Sequence, residues 1–91
     1  MNNTIWKYQF NLADEVEVEL PFGCEILDIQ IASIYAGPTG VFELWALVDS
    51  NEDRMFKNSF RIYGTGHECN ENMMDYIKTV RDGPLVWHIF R

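Results

Sequence analysis

The stretch EVEVEL, Glu15–Leu20, alternates acid and aliphatic residue without a break. Successive side chains of a strand point to opposite faces. Val16, Val18 and Leu20 therefore turn toward a core, and Glu15, Glu17 and Glu19 toward water. A helix would scatter the same residues around its circumference. Upstream, TIWKYQF sets Trp6, Tyr8 and Phe10 on one face and Lys7 and Gln9 on the other, with NLADE as the intervening turn. Downstream, LPFG ends the strand, because Pro21 cannot donate to a ladder and Gly23 accepts a positive φ.

The pattern continues to the end of the chain. CEILDIQIASIY reads as a third strand with Leu27, Ile29 and Ile31 on one face and Ile26, Asp28 and Gln30 on the other. AGPTG, Ala36–Gly40, is a turn. VFELWALVD, Val41–Asp49, is apolar on both faces except at Glu43, as in a central strand covered from both sides. SNEDR is a polar loop. MFKNSFRIYG directs Phe60 and Ile62 inward and Arg61 and Tyr63 outward. ECNENMM has room for one helical turn. DYIKTVRDGPLVWHIFR closes the chain as a hairpin turning at Asp82-Gly83. Its last strand, PLVWHIF, is again apolar on both faces. No segment carries a sustained apolar stripe at helical spacing. The expected fold is mostly β, a small antiparallel sandwich or curved half-barrel of about seven strands with at most one short helical turn.

The chain's 91 residues make a single domain, 1–91. A chain of this length buries only roughly 60–65% of its extended surface. Its composition is nevertheless 47% hydrophobic and 14% aromatic, so some of that surface is expected to close a subunit interface. Trp45, Trp87, His88 and Phe90, on the two strands that are apolar on both faces, are the candidate interface residues, and a homodimer or higher homo-oligomer is expected.

The net charge is −7, unevenly spread: Lys7 stands alone against nine acids up to Glu52, while from Asp53 onward six bases face five acids. General nucleic-acid binding needs a broad cationic surface and is not expected. A local anion site in the second half is compatible with the charges. The N-terminus lacks the basic start and apolar stretch of a signal peptide, and no apolar run reaches membrane-spanning length. Cys24 and Cys69 are expected to be reduced thiols of a cytosolic protein.

FRIYGTGHECNEN, Phe60–Asn72, concentrates the residue types that carry chemistry. Structural zinc takes four nitrogen or sulfur ligands in paired spacings, and His67, His88, Cys24 and Cys69 supply neither CxxC nor HxxxH, so no metal or other cofactor is expected. Cys69 and His67 lie two residues apart with no orienting Asn or Asp, which argues against a nucleophile–base pair and against an enzyme. The GTG segment lacks the glycine spacing, lysine and following helix of a P-loop. It reads first as a structural exit from the strand, with Thr65 bonding locally. Its second expected role is the rim of a ligand site, in which Arg61, Tyr63, Gly64, Thr65, Gly66 and His67 are the candidate binding residues. Arg61 and Tyr63 share a face and offer a planar cation beside an aromatic ring, a pairing suited to a phosphate and a base. The bland alternative for Arg61 is an ion pair with a carboxylate on a neighbouring strand.

Taken together, IWKY, LPFGCEILDIQ, LWALVD, FRIYGTGH and YIKTVRDGPLVWHIF resemble a family of small phage and prophage proteins of unknown function, over nearly the whole chain. Longer polar stretches at Asn51–Asn58 and Glu68–Asn72 set this sequence apart, and they lie beside the GTGH turn. The resemblance implies a phage gene product in the host bacterial cytoplasm. In that setting the first expectation is a non-catalytic binding protein that antagonises a host defence factor. It would do so by blocking a defence protein with its acidic surface, or by sequestering a small anionic nucleotide with Arg54, Arg61, Arg81 and the GTGH backbone. The other class is a structural or assembly protein of the phage.

Overall fold

A computed structural model describes residues 2–32 and 38–91. The strands are β1 (Asn3–Asn11), β2 (Glu15–Pro21), β3 (Glu25–Ile31), β4 (Val41–Asp49), β5 (Met55–Gly64), β6 (Tyr76–Asp82) and β7 (Leu85–Phe90), with one 3-10 turn at Met73–Asp75. They form two antiparallel sheets, a three-stranded one in the order β1-β4-β3 and a four-stranded one in the order β2-β5-β7-β6. Of the two architectures expected, the chain adopts the sandwich.

The alternation of β2 holds to the residue: Val16, Val18 and Leu20 are buried and the three glutamates are exposed. Its end is built as its residues dictate. The Cys24 N–H donates to the Pro21 carbonyl across a turn in which Gly23 has φ 79°. From the other sheet, Phe42, Leu44, Ala46 and Val48 meet this face, joined by Phe10 and Ile29. Phe10 stacks on Phe42 at 5.1 Å and faces Phe60 across the sandwich at 6.2 Å. Aromatic pairs of this kind add about 0.5–1.5 kcal/mol beyond the area they bury.

Three local expectations are corrected. In β3 the pairing slips between Ile26 and Asp28: Ile26 pairs with Ala46 and packs on the core, while Leu27 bulges out and is 48% exposed. The extra residue of a β-bulge breaks the period of two, so Leu27 does not share the face of Ile29 and Ile31. In β4 the described residues fully bury only one face, and Trp45 and Leu47 on the other are half-buried. The last hairpin turns one residue later than expected, at Gly83-Pro84. Asp82 pairs with Leu85, and Gly83 takes φ 61° as the first residue of a two-residue loop.

That shift gives Asp82 a different role. It ends β6, is 1% exposed, and accepts the backbone N–H groups of Thr39 and Gly40 at 2.8 Å each. Those residues lead into β4, so this carboxylate ties the two sheets together. A second tie is the ion pair of Lys78 on β6 with Asp28 on β3. The turn expected at Ala36–Gly40 is described only from Pro38 onward, and the expected strand residues Ser33–Tyr35 lie outside the described residues.

Candidate functional site

Outward-facing residues of β5, β7 and β6 line up across the four-stranded sheet. The register sets Tyr63 beside His88 and His88 beside Thr79, with Arg61 and Tyr76 flanking Phe90. Tyr63 and Tyr76 both meet Phe90 edge to face, at 5.8 and 5.5 Å. Beyond β5 the chain turns back over this surface. The His67 N–H donates to the Gly64 carbonyl at 3.1 Å, and Gly66 has φ 89°, as the third position of a type II turn requires.

The result is a cleft of about 330 Å³, with Tyr63, Tyr76 and Phe90 supplying aromatic wall, His67 and His88 imidazoles, and Thr65 and Thr79 hydroxyls. Cys69 and Met73 complete its outer side. Its volume falls at the low end of small-molecule sites.

The polar groups are tightly ordered. His88 Nε2 lies 2.7 Å from the Thr65 hydroxyl and Nδ1 lies 2.9 Å from the Thr79 hydroxyl, which in turn meets the Tyr76 hydroxyl at 2.7 Å. A neutral imidazole donates from one nitrogen and accepts at the other, so this chain of bonds runs in one direction. His67 lies against Gly64, whose N–H donates to its Nδ1 at 3.3 Å. That bond leaves the proton on Nε2. A Cβ on Gly64 would come within 2.8 Å of the His67 ring and 3.3 Å of Trp87. The first glycine of GTG thus admits the imidazole, and the second makes the turn.

Arg61 and Tyr63 do share a face, and they converge on Glu71. Its Oε2 accepts the Arg61 Nε–H at 2.7 Å and the Tyr63 hydroxyl at 2.6 Å, while Arg61 Nη2 donates to the Arg91 carbonyl at 2.8 Å. The Arg61 bond, with that of Tyr63, holds the Glu71 carboxyl below the ordinary carboxylate range. The same carboxylate pushes the Tyr63 phenol up to about 12. The carboxylate partner of Arg61 comes from the loop after β5 and not from a neighbouring strand.

Of the twelve residues singled out from the sequence, Tyr63, Gly64, Thr65, Gly66, His67, His88 and Phe90 come together in this cleft, whereas Arg54 pairs with Glu52 over the Phe22 ring and Arg81 lies on β6 outside the cleft. Arg61 stands beside it. Trp87 packs on the core side of β7, its Nε1 buried without a partner among the described residues. Trp45 lies on the other sheet. Thr79, Tyr76 and Glu71 were missed. Thr79 was legible in principle, since a hairpin turning at Gly83-Pro84 puts it opposite His88. Glu71 had no signal, lying in an irregular polar loop.

The chain belongs to a family described as Domain of unknown function (DUF7352), whose model matches residues 1–91. No match was found among curated proteins or among solved structures. Among the described residues, no helix is long and apolar enough to cross a membrane.

Proposed function

We propose that this is a non-catalytic binding protein whose ligand is a nucleotide, held with its base in the cleft between the β5–β7–β6 surface and the segment after Gly64. The supporting observation is the cleft itself, in which aromatic rings, ordered hydroxyls and two imidazoles converge on a volume suited to one planar ring system. A base stacked on aromatic side chains gains about 1–3 kcal/mol. The Nε2–H of His67 is a donor at the rim for its polar edge, and the hydroxyl oxygen of Thr65 is a further polar partner there. The phosphate would take the Arg61 guanidinium in exchange for Glu71. The resemblance to phage proteins supplies the setting: a protein made in the bacterial cytoplasm that antagonises a host defence factor by withholding its nucleotide signal.

One observation favours a second reading, in which the protein blocks a basic surface of a host protein. Glu15, Glu17 and Glu19 form an exposed acidic row, with Lys57 only 3.9 Å from Glu17.

Calorimetric titration with a panel of ribonucleosides and ribonucleotides separates these readings. Binding of a nucleotide that is lost in Tyr63→Ala and in His88→Ala, both variants remaining folded by circular dichroism, is the expected result. If no member of the panel binds the wild type, the nucleotide reading falls and the protein-blocking one takes its place.

A further inference from the structure

Among the described residues the sandwich has four edge strands, and they are not protected alike. β2 carries three glutamates and ends in Pro21. β3 is interrupted by the bulge at Leu27, and β6 slips register between Tyr76 and Lys78 and carries Lys78 and Arg81. Acids, proline, bulges and lysines are the devices that keep a sheet edge from pairing with another chain. β1 has one of them, Lys7. It pairs with β4 in unbroken register over nine residues, Asn3↔Asp49 to Asn11↔Val41.

The direction of its backbone groups follows from the bonds at its two ends. The Leu12 N–H donates to Gly40, and the Asn2 carbonyl accepts from Ser50. Even-numbered residues therefore spend their backbone groups on β4. Odd-numbered ones (Asn3, Ile5, Lys7, Gln9 and Asn11) direct theirs to the outer edge, where no described strand lies. β1 also carries no acid in a chain of net charge −7, and Ile5 and Trp6 on it are 58% and 42% exposed.

We infer that β1 pairs with β1 of a second copy of this chain, antiparallel about a two-fold axis at Trp6. Among the symmetric registers that join odd residues to odd residues, one centred on Lys7 sets two like charges directly opposite each other, which is destabilising. The Trp6-centred register instead joins Ile5 to Lys7 of the second copy and Asn3 to Gln9 by backbone bonds. It brings the two indoles together as a close pair that is not hydrogen-bonded, and lays each Lys7 stem over an exposed Ile5. The two three-stranded sheets become one, running β3-β4-β1-β1-β4-β3. This interface is separate from the cleft and stands or falls without it.

Sedimentation of the full chain at micromolar concentration should give twice the 10.7 kDa monomer mass. Lys7→Pro removes an outward N–H that β4 does not use, and Trp6→Arg sets two cations in contact. Both should sediment as folded monomers. With Cys24 and Cys69 replaced by serine, Trp6→Cys should cross-link on mild oxidation, because Cα atoms about 4.5 Å apart fit a disulfide. Lys7→Cys should not. A monomeric wild type, a dimer unmoved by both Lys7→Pro and Trp6→Arg, or cross-linking through Lys7→Cys would overturn the inference.

Discussion

At Glu71 a single carboxylate oxygen takes two donors, from Arg61 and Tyr63, and so fixes the segment beyond the Gly64 turn to the sheet. The folded carboxyl is depressed relative to the ordinary 4.5, so the stability it contributes is complete above that value and is lost as pH falls through the lower folded one. Tyr63 has the opposite sign. Its phenol is raised from 10.0 to about 12, so its contribution is complete below the former and fades toward the latter. Ultraviolet titration should therefore show a tyrosine ionising near 12, and Tyr63→Phe should abolish that phase. None of this was legible in the sequence. The strand alternation set Arg61 and Tyr63 on one face, but what they hold is decided by where an irregular loop of polar residues comes to rest.

The strands themselves were legible wherever one face is polar. Glutamates mark the outward side of β2, and Arg61 and Tyr63 that of β5. The reading failed where both neighbours are apolar. Ile26 and Leu27 are equally suited to a core, so nothing in the sequence says which of them the bulge discards. The structure makes the choice testable. Leu27→Ser, at an exposed position, should change stability by less than about 0.5 kcal/mol. Ile29→Ala, at a fully buried one, should cost about 2–5 kcal/mol. Urea unfolding of the two variants checks the register, and a large loss at Leu27 would restore the unbulged strand. The last hairpin failed for a related reason. Asp82 and Gly83 are both good turn formers, and in the fold Asp82 stays in the strand, where its carboxylate takes two backbone bonds.

Among the described residues of the whole molecule, the two sheets are joined by a shared apolar interior and by few polar ties. The Asp82 clamp is the buried one. Asp82→Asn keeps the shape but sets an amide N–H against one of two backbone donors. It should cost about 1.5–3 kcal/mol by urea unfolding, with no change in the cleft. The cleft sits on the outer face of the four-stranded sheet, away from that joint, so binding and stability are separable by mutation. Resonance perturbation of the amide-labelled protein by adenosine monophosphate and its companion ribonucleotides tests the binding function most directly. Saturable shifts confined to Tyr63–His67, Thr79 and His88–Phe90, with Arg61 and Glu71 moving only when a phosphate is present, are the expected result. Shifts centred on the acidic row of β2, or none with any nucleotide, would contradict it.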